Sequence, residues 1–316
     1  MRIAVTIPCF KVKNNILSVL SSIGGEVDRV YVVDDCCPEL TGQYVLDSQS
    51  DPRVEVIFHK ENRGVGGAVC TGYKRALDDG IDIVVKLDGD GQMDPALIPK
   101  IIKPVVQGEA DYAKGSRFFS LRSLQAMPTA RKVGNSCLSF VNKVSSGYWN
   151  VMDPTNGFTA INRQALSQLE LDKIHKRYFF ESDMLFRLAT VRAVVRDIPM
   201  DAKYEDEQSS LDIRQVLVEF PPLYVKAFLK RIFYNYFLRD FNVASLEIVT
   251  GTPLLTFGTI FGAYHWHESI QTNQVASTGT VMLSVLPIIL GFQLFLNAIM
   301  YDVNNVPRIP LSSLHE

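Results

Sequence analysis

Four short apolar runs, Ile3–Ile7, Val30–Val33, Val54–Phe58 and Ile81–Val85, punctuate the N-terminal third of the chain. Each has the length of a strand, and each stops at a polar or glycine-rich loop. Between them lie segments of helical spacing: Asn14–Ile23, with Ile16, Leu17, Val19, Leu20 and Ile23, and Gly66–Leu77. Strands separated by helices predict a parallel sheet with crossover helices, an α/β fold. In such sheets ligands sit beyond the carboxyl ends of the strands. The loops at Pro8–Lys11, Asp34-Asp35, Asn62–Gly67 and Asp88–Gln92 are therefore expected to open on one edge, as one site.

The last of these loops carries the sharpest chemistry. Lys86-Leu87-Asp88-Gly89-Asp90-Gly91-Gln92 follows directly on the fourth run. Side chains at i and i+2 of an extended segment share a face, so Asp88 and Asp90 aim at one point. The glycines let the chain turn and a ligand come close. Two carboxylates and an amide oxygen suit a hard cation, Mg2+ or Mn2+, that shares its shell with substrate phosphates and water. The bland alternative is a solvated turn after a strand.

The other loops also read two ways. Asp34-Asp35 either caps a turn or accepts hydrogen bonds from a nucleobase or ribose. The glycines of 64–67 either serve packing or bring backbone N–H groups and a helix N-terminus toward phosphate. A dinucleotide fingerprint would follow the first strand, not the third, and no G-x-x-x-x-G-K-[ST] is present. A net charge of −2 gives no electrostatic support to a nucleic-acid partner. The five cysteines, with Cys36 and Cys37 adjacent, form no C-x-x-C pair. This pattern argues for a reducing compartment rather than a disulfide framework or zinc site. Strand-like residues begin at Ile3 and Pro8 ends them, too short a stretch for a signal peptide, so the N-terminal part is expected in the cytosol.

Taken in order, Pro8, Val33-Asp34-Asp35, Asn62-Arg63-Gly64, Asp88-Gly89-Asp90, Gly115-Ser116-Arg117-Phe118 and Asp153–Phe158 resemble family 2 glycosyltransferases of GT-A fold. The look is nearest to the polyprenyl-phosphate, dolichol-phosphate-mannose-synthase-like sugar transferases, over about residues 1–210. The resemblance implies a nucleotide-diphosphate-sugar donor, inversion at the sugar carbon, and a divalent metal on Asp88, Asp90 and Gln92. It implies nucleotide-sugar contacts at Pro8, Phe10, Asp35, Asn62, Gly64 and Asp88, and catalytic positions at Asp90 and Asp153. Two departures border the nucleotide pocket. The run after the first proline is Cys9-Phe10-Lys11-Val12-Lys13, and Cys36-Cys37 stands where Gly-Ser is usual. Both bear on base and sugar identity more than on reaction class.

Residues 111–210 are expected to serve the acceptor. Arginine grips phosphate through a planar fork of donors. The resemblance carries acceptor-phosphate roles onto Arg117 and Arg131, with Asn135 or Ser136 assisting on a helical run, Val133–Val144. A phosphate monoester, with a second pKa near ~6, is already mostly dianionic at neutral pH. Asp153 would then position the acceptor more than remove a proton. A sugar hydroxyl would instead need a true base, at Asp153 or Asp183. Glu181-Ser182-Asp183 also reads as the acidic first turn of a helix.

The C-terminal quarter changes character. Residues 214–240 interleave Val216, Phe220, Tyr224 and Phe233 with Lys226, Lys230, Arg231 and Arg239, a basic aromatic segment suited to a membrane surface. Mainly apolar stretches follow at about Val243–Tyr264 and Thr280–Met300, each near the ~20 residues that span a bilayer. The loop His265–Thr278 has no Lys or Arg, whereas basic residues precede the first stretch and Arg308 follows the second. Both termini are thus expected on the cytoplasmic side.

The expected organisation is a cytoplasmic GT-A catalytic domain (1–212), interfacial helices (213–242) and a two-helix transmembrane hairpin with a short tail (243–316). The expected activity moves a sugar onto a polyprenyl phosphate, undecaprenyl phosphate in a bacterium, at the inner (cytoplasmic) membrane. Gln293 and Asn297 inside the second stretch suit helix association, which leaves room for a homo-oligomer without setting the number of subunits. The rivals are a membrane-anchored transferase acting on a saccharide hydroxyl, a non-catalytic sugar-nucleotide-binding scaffold and, more weakly, a nucleotidyltransferase.

Overall fold

The computed structural model describes residues 1–119, 129–200 and 213–314, apart from the side chains of 130, 131, 213–217 and 314. Contacts divide the chain into two compact units, Met1–Arg231 with Pro307–Glu316, and Ile232–Val306.

The first unit is built on a seven-stranded sheet of order β3-β2-β1-β4-β6-β5-β7. The strands are β1 (Ile3–Cys9), β2 (Arg29–Asp34), β3 (Val54–Phe58), β4 (Ile83–Lys86), β5 (Tyr112–Ser116), β6 (Thr159–Asn162) and β7 (Val195–Pro199). β6 runs antiparallel to β4 and β5, and the other pairings are parallel. The four anticipated strands are all present. β6 and β7 complete the sheet without a matching expectation from the sequence. The helices of this unit are α1 (Ile16–Ser21), α2 (Thr41–Ser48), α3 (Gly64–Asp78), α4 (Ile98–Val106), α5 (Thr129–Ser146), α6 (Arg163–Ser167), α7 (Phe180–Thr190) and α8 (Ile213–Phe233).

Alternation along the strands divides the core. Ile3, Val5, Ile7, Val85 and Leu87 join α1 and α4 residues such as Ile16, Leu20, Ile98 and Ile101 in one apolar cluster. Each such side chain contributes roughly 1.5–3 kcal/mol by leaving water. Thr6 and Lys86, one residue out of phase, face the other way. A Cβ on Gly72 of α3 would lie 2.3 Å from Thr6, so this small residue lets the helix close on the sheet. Both faces of the centre are covered, as a mostly parallel sheet requires. β1 lies between β2 and β4, so the crossovers diverge there, and the crevice opens at the ends of those strands.

α8 packs its inner face on the sheet unit. Phe220 and Tyr224 meet Phe179 edge to face, and the Tyr224 and Ser182 hydroxyls lie 2.8 Å apart. Arg231, 2% exposed, donates to the carbonyls of Val144 and Ser145 at the end of α5.

The second unit holds α9 (Val243–Thr272) and α10 (Thr278–Asn304), both long and apolar enough to cross a membrane. α9 continues eight residues beyond the expected stretch and takes in His265 and Glu268, whose side chains join at 2.8 Å, so the connection shrinks to Asn273–Ser277. The helices approach closely where a side chain would obstruct them. A Cβ on Gly291 would stand 2.9 Å from the Gly251 carbonyl, and one on Gly258 2.7 Å from the Ser284 carbonyl. Small residues at such crossings are the usual device of helices that associate in lipid. Outward-facing Ile260, Leu290 and Phe292 remain more than half exposed, a surface that water does not favour.

Candidate active site

The loop after β4 is set by its glycines and by Asn15. Gly91 has φ +83°, the left-handed region, and the Asn15 amide donates to the Asp90 carbonyl at 2.6 Å. Asp90 Oδ1 accepts the Gln92 N–H at 3.0 Å. Asp94 Oδ1 accepts the Ala96 N–H at 3.0 Å and closes the turn that follows. Asp88 is partly exposed, with Oδ1 2.9 Å from Lys86 Nζ; Asp90 is partly buried and Gln92 exposed. Among the described residues no group of three or more His, Cys, Asp or Glu side chains forms a metal cluster. Two carboxylates and an amide nevertheless fit a hard cation that takes its remaining ligands from diphosphate oxygens and water.

The loops after β2 and β3 close on each other. Asp34 accepts the Cys37 and Gly42 N–H groups at 2.8 and 2.6 Å, which is the turn-capping alternative. Asp35 accepts the Arg63 N–H at 2.8 Å and the Gly64 N–H at 2.7 Å, and Oδ1 lies 2.7 Å from His59 Nδ1. It therefore caps the start of α3, where the helix dipole favours an anion. Asn62 donates to the Asp35 carbonyl at 3.2 Å. The glycines act in packing: a Cβ on Gly64 (φ +78°) would lie 2.5 Å from the Lys176 carbonyl, and one on Gly66 2.3 Å from that of His175. The Gly67 N–H donates to Lys176. Pro8 pairs with Val33 in the sheet, and Phe10 stands beyond it, 44% exposed. Lys11, at φ +58°, donates its N–H to Cys37 Sγ at 3.1 Å, so Cys37, one of the departures from the family pattern, joins the loop after β1 to the loop after β2.

On the acceptor side, Asp153 is fully buried and forked by Arg117, Nε to Oδ2 at 2.7 Å and Nη2 to Oδ1 at 3.0 Å. Burial works to raise the Asp153 pKa, but the Arg117 hydrogen bonds and charge hold it below the usual carboxylate range. Asn135 is partly buried and Ser136 exposed on α5; the Arg131 side chain lies outside the described residues. Asp183 accepts the His175 N–H at 2.8 Å and Arg187 Nε at 2.9 Å, the structural role of a first-turn acid.

The sequence reading missed the charged floor beneath these loops. Lys86 and Lys114 stand opposite Thr159 in register, both essentially inaccessible. Lys86 Nζ lies 3.2 Å from Glu181 Oε1, and Lys114 donates to the Asn156 carbonyl. Burial would lower the Lys86 pKa, yet Asp88 and Glu181 hold it well above the ordinary lysine value. Burial pushes Lys114 down to about 8 and Asp197, its cross-strand partner, up to about 6. The available signal was a lysine ending an otherwise apolar strand.

Residues 4–170 match the model of glycosyl transferase family 2. The chain is 30% identical over 238 residues to the UDP-N-acetylglucosamine–dolichyl-phosphate N-acetylglucosaminyltransferase of Methanococcus voltae, covering 71% of this chain and 94% of that one. It is 31% identical over 207 residues to the undecaprenyl-phosphate mannosyltransferase of Micrococcus luteus, covering 63% and 83%. Among solved structures, glucosyl-3-phosphoglycerate synthase of Mycobacterium tuberculosis, in complex with Mn2+, UDP and glucosyl-3-phosphoglycerate, superposes with a TM-score of 0.55 at 19% identity, covering 73% of this chain and 79% of that one. The last likeness bears on the fold, which is GT-A-like.

Proposed function

The chain belongs to glycosyl transferase family 2 and is a glycosyltransferase, and we propose that it transfers a sugar from a nucleotide diphosphate to a polyprenyl phosphate at the membrane surface. Relatives are named for polyprenyl-phosphate acceptors, and the second unit supplies two helices fit to lie in the same bilayer as such a lipid. In this reading residues 1–212 are cytoplasmic, 213–242 lie at the interface, and 243–316 carry the hairpin, making a multi-pass protein of the inner membrane. Pro8, Phe10, Asp35, Asn62 and Gly64 frame the nucleotide pocket; Arg117, Arg131, Asn135 and Ser136 serve the acceptor phosphate.

Asp88, Asp90 and Gln92 would hold Mg2+ or Mn2+, which, when bound, offsets charge developing on the departing diphosphate. The acceptor phosphate attacks the sugar carbon as a dianion, with inversion, so no protein group has to remove a proton. The observation that carries this reading is the fork of Arg117 on Asp153. A carboxylate held low by a guanidinium is a poor base, which disfavours a saccharide hydroxyl as acceptor. The test compares a polyprenyl phosphate with its parent alcohol under saturating donor. Product from the phosphate alone supports the reading; equal product from the alcohol would require a base and contradict it.

A further inference from the structure

Two loops meet over the buried charges of the site. Lys86 Nζ stands 2.9 Å from Asp88 Oδ1 and 3.2 Å from Glu181 Oε1, while Lys114 donates to the carbonyl of Asn156. The lysines flank Thr159 in one row of the sheet, so both project from the same face. Met152 is fixed from the same side, its N–H donating to Asp197 Oδ2 at 2.6 Å. The loops touch at Gly157. A Cβ there would lie 2.3 Å from Lys86 Nζ and 2.7 Å from Asp88 Oδ2.

Two lysines removed from water are costly, and apolar residues in place of the lysines and their carboxylate partners together would often serve stability as well or better. Charge at these positions acts by fixing geometry. We propose that Lys86, Glu181 and Lys114 are positioning residues that lock the Asp88–Gln92 loop to the Met152–Phe158 loop, with Gly157 as the contact point. The donor and acceptor sides of the site then move as one body. A change confined to the acceptor-side loop is felt at Asp88, and Glu181 reports to both loops because Lys86 holds it to the first and its charge faces Lys114 under the second. The names donor and acceptor rest on the function proposed above; the locking itself does not.

Amide hydrogen exchange on the detergent-purified full chain tests this without any ligand. Lys114→Met alters only the second loop and its support, whereas Gly157→Ala presses a methyl into the contact itself, against Lys86 Nζ and Asp88 Oδ2. Both are expected to speed exchange across 88–92 as well as 152–158, by about tenfold or more, the factor that about 1.4 kcal/mol of lost closure gives. Glu181→Gln, which keeps the side-chain volume and so serves even where the lysine change does not fold, is expected to speed both loops by a similar factor. Faster exchange confined to 152–158 in these variants would overturn the coupling. A protein that shows the coupled pattern but makes no lipid product would retain this inference and lose the function.

Discussion

Asp153 gives both carboxylate oxygens to Arg117, at 2.7 and 3.0 Å, from a position with no solvent exposure. The two residues stand 36 positions apart, and the sequence assigns them separate duties, one catalytic and one on the acceptor phosphate. The structure makes them one unit, in which the carboxylate aims the guanidinium and Thr155 lies at the edge of the pair, 3.5 Å from Nη2.

Asp153→Asn should therefore lower stability and weaken acceptor binding while leaving chemistry in place. Removing one partner of a buried ion pair costs about 3–5 kcal/mol, and the partial exposure of Arg117 puts this case at the lower end. The expected result is a lower melting temperature, a raised acceptor KM and a kcat that stays measurable. A kcat reduced to background with an unchanged acceptor KM would mark Asp153 as a proton acceptor.

Acid and base should act on stability through the floor of the site. Asp197 moves from an ordinary 3.8 to about 6 because burial disfavours its charge. The folded state thus binds the extra proton between those values, and stability from this group is present below about 4 and lost as pH rises through about 6. Lys114, moved by burial from 10.5 to about 8, has the opposite effect: the unfolded chain holds the proton more tightly, so stability rises between about 8 and 10.5. Melting temperatures of wild type and Asp197→Asn, measured from pH 4 to 7, should diverge in favour of the variant as pH rises. A constant difference would show that Asp197 does not titrate in that window.

How much of this was legible in the sequence differs by element. β1, β2 and β4 were readable because burial on both faces makes them continuous apolar runs. β7 was not, since Val195-Arg196-Asp197-Ile198-Pro199 neither alternates nor stays apolar, and its Asp197 belongs to a contact with Met152 that only the fold creates. Asp88 and Asp90 were legible as a pair because i, i+2 spacing on an extended chain fixes their relation locally. Lys86 stands beside them with no local mark of its role, because its partner Glu181 lies 95 residues away. Asp34 and Asp35 had two open readings, and the capping contacts that decide what they touch depend on where Gly42 and Gly64 arrive in space.

Arg231 should matter to folding rather than to chemistry. Its guanidinium satisfies last-turn carbonyls of α5, where a helix leaves acceptors without partners. The neighbouring Gly147, at φ +81°, leaves room for it: a Cβ there would lie 2.7 Å from Nη1. Arg231→Ala strands buried carbonyls, at about 1–3 kcal/mol each. A melting temperature lowered by several degrees, with KM values for donor and acceptor unchanged in the folded fraction, is the expected outcome. An altered acceptor KM at unchanged stability would place Arg231 in the site instead.

Metal dependence should converge on the Asp88–Gln92 loop. With Asp90 as the proposed hard oxygen ligand, Asp90→Ala is expected to lower kcat by on the order of 10²–10³-fold, comparable to the loss of one electrostatic stabiliser of a transition state. EDTA should do the same to wild type, reversibly on adding Mn2+. Activity that survives both would leave Asp88 and Asp90 as turn residues.

The most direct test of the account is transfer itself. Detergent-purified protein is incubated with Mn2+ or Mg2+, a panel of radiolabelled nucleotide sugars and undecaprenyl phosphate, and the lipid is extracted into organic solvent. Metal-dependent label in the lipid phase from one donor, absent with Asp90→Ala, is the expected result. Donor hydrolysis with no lipid product, or no donor consumed at all, would contradict it.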